Sequence, residues 1–161
     1  MKSDYLLALP IAILCAFAPA PSSAETLNRS VVVSGDPARV WAAIGSFCAI
    51  ADWHPAIASC ASDGRTPPTR TLVTKDGARF VELQTARNEA QHEYSYAFTA
   101  SPIPVTGYSS TLKVSPSANG ASVINWSGTY TPIPGKATDA EAALSGIYES
   151  GLAAIKAKLA R

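Results

Sequence analysis

The sequence predicts an α+β domain, a curved antiparallel sheet around one long C-terminal helix, on three observations. Rings occupy the alternate positions His92, Tyr94, Tyr96 and Phe98, with Glu93, Ser95 and Ala97 between them, which is the period of a sheet with one covered face. Segments of strand character follow one another from Thr69 onwards, separated by turn residues. Near the C-terminus Ala140, Leu144, Ile147, Tyr148, Gly151, Leu152, Ile155 and Leu159 form one apolar stripe at helical spacing, fit to cover such a face.

In chain order, residues 1–24 read as an export signal. An apolar run from Tyr5 to Ala20, interrupted by Pro10, stands behind a lone Lys2 and closes on Ser22-Ser23-Ala24. It is too short to span a bilayer, and cleavage is expected after Ala24; a retained anchor is the alternative. Cys15 lacks the preceding small residues of a lipoprotein site. The mature domain then runs over residues 25–161, one domain's worth of chain with enough length to bury a core.

Thr26–Val33 ends in three valines and reads as the first strand. Ser34-Gly35-Asp36-Pro37 stops it and opens a helix with Asp36 as N-cap and Pro37 at its first position. Val40, Trp41, Ile44 and Phe47 recur at helical spacing, and a second short helix is expected from Ala49 to Ile57, limited by Pro55. Strands are expected at Thr69–Thr74, Arg79–Thr85, His92–Thr99 and Thr106–Val114, with turns at Lys75-Asp76-Gly77, Arg87-Asn88-Glu89 and Ser101-Pro102-Ile103-Pro104. Val123–Thr131 is the last strand, after Ser117-Ala118-Asn119-Gly120. Thr138 and Glu141 have capping-box spacing at the start of the final helix, which extends to about Ala160.

Composition narrows the function. Thirteen Lys and Arg oppose 12 Asp and Glu with no basic run, so nothing marks a nucleic-acid surface. The two histidines have no metal-ligand spacing, and there is no Cys-x-x-Cys, no Gly-x-Ser-x-Gly elbow and no glycine-rich phosphate cradle; no metal and no cofactor are expected. Cys48 and Cys60 remain after processing. In an oxidising compartment they fit a disulfide; the alternative is two buried thiols.

The order of elements, together with Val40-Trp41, Phe47, Trp53-His54-Pro55, Ser59-Cys60, Thr69-Arg70, Asp76-Gly77, Glu82-Leu83, Tyr108-Ser109-Ser110 and Gly151-Leu152, resembles the helix-grip superfamily. That group includes START domains, birch-pollen allergens and polyketide cyclase or dehydrase-like proteins. Plant abscisic-acid receptors carry similar strings, as do small exported bacterial proteins encoded with methanol oxidation, and the chain is most similar to the bacterial branch. The resemblance implies a cavity between sheet and helix that holds an apolar ligand. It does not imply receptor signalling, because the receptor gate is here Lys75-Asp76-Gly77-Ala78 and the latch Ile103-Pro104-Val105.

By the same resemblance His54 stands where the receptors have a carboxylate-binding lysine, Glu82 stands on a pocket glutamate, and Tyr108 and Ser110 match ligand-contacting positions. The candidate ligand-binding set is His54, Arg70, Glu82, Tyr96, Tyr108 and Ser110, with Ile147 and Gly151 from the helix. His54 is either a donor to a carboxylate or carbonyl, a proton acceptor, or a packed helix-end residue beside Trp53 and Pro55. Arg70 and Glu82 lie on consecutive strands; they form either a partly buried pair that lowers the carboxylate's pKa or a solvent-facing one, as strand register decides. Tyr94, Tyr96, Phe98, Trp126 and Tyr130 line a cavity or are plain core.

Three functions follow as expectations. The first is an exported, periplasmic or secreted binder of a small apolar or amphipathic molecule. The second is a cyclase, dehydratase or isomerase in which His54 moves a proton while Arg70, Glu82 or Tyr108 stabilises an enolate-like charge. The third is an accessory protein that docks on a periplasmic oxidoreductase.

Overall fold

The computed structural model describes residues 23–160, so nearly all of the expected signal segment lies outside the described residues. The strands are β1 (Glu25–Val33), β2 (Ile57–Ser62), β3 (Thr69–Thr74), β4 (Arg79–Asn88), β5 (Glu93–Ala100), β6 (Val105–Pro116) and β7 (Ser122–Pro132). Two short helices, α1 (Pro37–Ile44) and α2 (Ile50–Trp53), follow β1, and the long α3 (Ala137–Leu159) closes the chain. The strands form one antiparallel sheet in the order β1-β7-β6-β5-β4-β3-β2. This is the helix-grip arrangement.

Helix α1 starts as the sequence requires: the Asp36 side chain accepts from the Arg39 amide at 3.0 Å and Pro37 opens the first turn. It stops at Ile44, so Phe47 is buried from the following turn and not from the helix. The expected helix from Ala49 to Ile57 is corrected to one turn, Ile50–Trp53, followed by a strand that the sequence reading missed. β2 is an edge strand of mostly small side chains with no apolar alternation, and its place is set by pairing with β3 and by the Cys48–Cys60 disulfide. The expected capping box is corrected too. Helix α3 begins at Ala137 behind Lys136, without a side-chain cap, and Thr138 lies inside its first turn.

Helix α3 packs against β1 and β7 on one side and against α2 on the other. Its buried face is Ala140, Leu144, Tyr148, Gly151, Leu152 and Ile155. The tightest approach is at Gly151, where an added Cβ would stand 2.8 Å from His54 Cδ2, 2.8 Å from Trp126 Cζ3 and 3.2 Å from Trp53 Cζ3. One turn earlier the Tyr148 ring stacks on Trp126 at 4.5 Å between centroids. Gly128 on β7 makes room for the tip of that tyrosine, since a Cβ there would meet Tyr148 Oη at 2.5 Å. The helix is thereby held to the β7 end of the sheet. Gly151→Ala should cost about 1–3 kcal/mol in urea unfolding, because the three rings it meets are themselves packed and cannot all move aside.

Candidate functional site

Because α3 is held over β1 and β7, the inner faces of β3, β4 and β5 are left with a gap beneath them. The gap is a cavity of about 300 Å³. Its sheet wall is Leu72, Phe80, Glu82, Tyr96, Phe98, Tyr108 and Trp126; Ile50, His54 and Ile57 close one side, Ala143 and Ile147 of α3 the other. Asp76 and Ala78 of the β3–β4 turn and Pro102 and Ile103 of the β5–β6 loop complete it. The wall is therefore largely apolar and aromatic, with few polar groups, as in small-molecule sites generally.

His54 caps the end of α2 and is buried, with both ring nitrogens engaged. Nε2 donates to the Ile147 carbonyl at 3.0 Å, and Nδ1 accepts from the Ala56 amide at 3.2 Å. The pair of contacts specifies the neutral Nε2–H tautomer. Burial holds the imidazole below its ordinary pKa, opposed in part by the bond to Ile147.

Arg70 and Glu82 face each other directly in the β3–β4 register, and both point inward. Arg70 Nε donates to Glu82 Oε2 at 2.6 Å, Nη1 donates to the Phe47 carbonyl, and the guanidinium carbon lies 4.1 Å from the centre of the Phe47 ring. Burial opposes the charge on Arg70, but attraction from Glu82 outweighs it and the guanidinium is held above its ordinary value. Burial moves Glu82 the other way from the sequence expectation: desolvation raises its carboxyl above the usual range, and Arg70 offsets only part of that. The expected lowering is thus corrected, since the pair is fully buried and not partly so.

A second polar feature lies against the cavity. Ser110 Oγ donates to the Ser127 carbonyl at 2.8 Å, so its lone pairs accept from Tyr148 Oη at 2.7 Å and Trp126 Nε1 at 3.1 Å. With its own proton committed, Tyr148 accepts from Tyr108 at 2.8 Å, and Tyr108 in turn accepts from Tyr96 at 3.3 Å. Tyr96 Oη also accepts from Trp126 Nε1 at 3.0 Å. The hydroxyls therefore form a chain with one direction, weakest at the Tyr96 end. Burial keeps all three tyrosines neutral, with Tyr148 pushed up to about 12 and Tyr96 and Tyr108 also raised.

Residues 24–160 match the family described as polyketide cyclase / dehydrase and lipid transport. The chain belongs to that family. Among solved structures, protein XoxI from Bacillus cereus is 32% identical, with a TM-score of 0.79 over 83% of this chain and 94% of that one. An uncharacterised protein from Bacillus thuringiensis is 30% identical, with a TM-score of 0.80 over 85% of this chain and 100% of that one. The Zhui aromatase/cyclase from a Streptomyces species is 13% identical, with a TM-score of 0.71 over 86% and 95%, which shows the shared fold. No curated protein matches the chain at a significant level.

In this family member the candidate residues fall into two layers. His54, Glu82, Tyr96, Tyr108 and Ile147 line the cavity; Arg70, Ser110 and Gly151 stand behind the wall, respectively pairing Glu82, ending the hydroxyl chain and admitting the rings under α3. Of the aromatic set, Tyr96, Phe98 and Trp126 reach the cavity, whereas Tyr94 packs on Trp41 and Phe47 and Tyr130 lies buried near the start of α3. The sequence reading missed Tyr148 as a polar group, because on the helical stripe it counts as apolar. It also missed Ile57, Leu72, Phe80 and Ala143, whose apolar side chains carry no signal beyond core.

Glu82→Gln should destabilise the protein by about 3–5 kcal/mol in urea unfolding, since Arg70 would be left as an uncompensated buried charge, while Arg70→Met with Glu82→Leu should recover most of the loss. His54 supplies a pH dependence of definite sign. Its folded pKa lies below the unfolded value near 6.5, so its contribution is present above that value and is lost as pH falls toward the folded pKa. Stability should therefore drop between pH 7.5 and 5.5, and His54→Gln should reduce that slope by up to about 1.4 kcal/mol per pH unit.

Proposed function

We propose that the domain binds a small apolar or amphipathic molecule in the cavity between the sheet and α3. The observation that carries this reading is the cavity itself, about 300 Å³ with an aromatic and aliphatic wall, beside a helix whose position at Gly151 prevents collapse onto the strands. The family's description spans both cyclase or dehydrase activity and lipid transport, and holding a ligand is common to the two. Catalysis by His54 is the less supported branch, because a base needs a free lone pair toward its substrate and both nitrogens of this ring are engaged.

The reading extends to location. Residues 1–24 act as an export signal for the domain from residue 25, and the Cys48–Cys60 disulfide fits an oxidising compartment. No helix among the described residues is long and apolar enough to cross a membrane. Docking on a protein partner has weaker support: among the described residues the large exposed apolar side chains are Val32 and Ile133, which lie toward opposite ends of β7.

The purified protein should enhance N-phenyl-1-naphthylamine fluorescence saturably at one site. Ala143→Phe places a ring in the cavity and should weaken that binding by about tenfold or more without lowering the melting temperature. Equal binding by the variant, or none by the unchanged protein, rules the cavity out as the ligand site.

A further inference from the structure

We infer that the cavity selects a neutral ligand bearing a hydroxyl group, and rejects carboxylates, through one acceptor and one donor on neighbouring strands. This rests on the cavity being the binding site.

The acceptor is Glu82 Oε1. Glu82 lines the cavity with its side chain only 5% exposed; Oε2 is held by Arg70 Nε, and no described residue donates to Oε1. Oε1 thus borders the cavity without a protein donor, and a ligand that brings an O–H or N–H to it gains a hydrogen bond to a carboxylate. The donor is Tyr96. Its hydroxyl proton lies on the 3.3 Å bond to Tyr108, the longest link in the chain, while its oxygen already accepts from Trp126. A ligand acceptor can take that proton at little loss. Tyr96 pairs with Gln84 and Glu82 with Phe98, so Tyr96 and Glu82 are diagonal neighbours across β4 and β5, both facing the cavity. One ligand hydroxyl can therefore donate to Glu82 Oε1 and accept from Tyr96 Oη.

Charge excludes the anionic alternative. The wall holds two carboxylates, Glu82 and Asp76, and no lysine or arginine. Arg70 is not among the lining residues and its charge is paired with Glu82, with only its buried Nη2 lacking a protein partner, and neutral His54 has no spare donor. A ligand carboxylate would give up its hydration in a site of low dielectric whose wall offers no cation in return. A ligand cation gains little, because Arg70 already balances Glu82.

The test uses four neutral-pH probes of one size on the purified protein, followed by calorimetry or by displacement of N-phenyl-1-naphthylamine: naphthalene, 2-naphthol, 2-methoxynaphthalene and 2-naphthoate. The expected result is 2-naphthol binding about tenfold tighter than both 2-methoxynaphthalene, which cannot donate, and 2-naphthoate, which is charged. Tyr96→Phe should narrow the gap between naphthol and its methyl ether. Naphthoate or the ether binding as tightly as naphthol overturns the inference while leaving the cavity reading intact. Failure of all four probes overturns both.

Discussion

The crossing of α3 over β7 is the contact from which the rest of the architecture follows. A helix with a tyrosine stacked on Trp126 and a glycine against Trp53, His54 and Trp126 cannot slide toward β3 and β4 without losing both contacts. Nor can it settle closer, since Gly151 already lets the rings approach as near as side-chain atoms allow. The strands beyond β6 curve away from a helix fixed at their other end, and short α2 fills only part of the wedge. What remains is hollow, with Leu72, Phe80 and Phe98 of the strands and Ala143 and Ile147 of α3 ending at its wall.

The Arg70–Glu82 pair is an expensive way to line such a space. Two desolvated charges contribute little net stability compared with two packed aliphatic side chains. Their value lies in what they connect: through Arg70 the carboxylate of β4 is tied to the carbonyl of Phe47, next to the disulfide cysteine that fixes β2. One guanidinium thus joins the turn after α1 to two strands and stands over the Phe47 ring, so the polar edge of the cavity is rigid. The hydroxyl chain from Tyr96 to Ser127 does the same on the β5–β7 side, with every proton assigned by the single donor at its end.

Much of this was legible from residues alone. The alternation from Tyr94 to Phe98 located the covered face, although His92, expected to open that strand, lies in the turn before it with φ 49°, and Asp36-Pro37 located a helix start, because both signals depend on local geometry that a side chain expresses directly. β2 was illegible for the opposite reason: Ala58, Ser59, Ala61 and Ser62 have little preference of their own, and pairing with β3 makes them a strand. The register that sets Arg70 opposite Glu82 was beyond reach as well, since a shift of one residue turns both side chains outward and the sequence is compatible with either. The capping spacing of Thr138 and Glu141 misled because local spacing does not say which preceding residue the chain enters from, and here Lys136 takes that place.

His54 illustrates how position decides between chemistry and scaffolding. An imidazole in a cavity wall is a ready proton acceptor only where one nitrogen is free to face the ligand and its pKa is near the working pH. Here α2 ends at Trp53, so His54 lies at the helix terminus with an adjacent amide, that of Ala56, available to its Nδ1; Ile147 on the passing helix offers a carbonyl to its Nε2. The contact with Ile147 follows from the same close crossing at Gly151, whose missing side chain lets the imidazole reach the helix backbone. The closer the helix lies, the more completely the ring is used as a bridge between α2 and α3, and the less of it remains for a substrate. The packing that keeps the cavity open therefore also engages both nitrogens of the histidine in its wall, and leaves Glu82 and the hydroxyls of Tyr96 and Tyr108 as polar groups of the sheet wall.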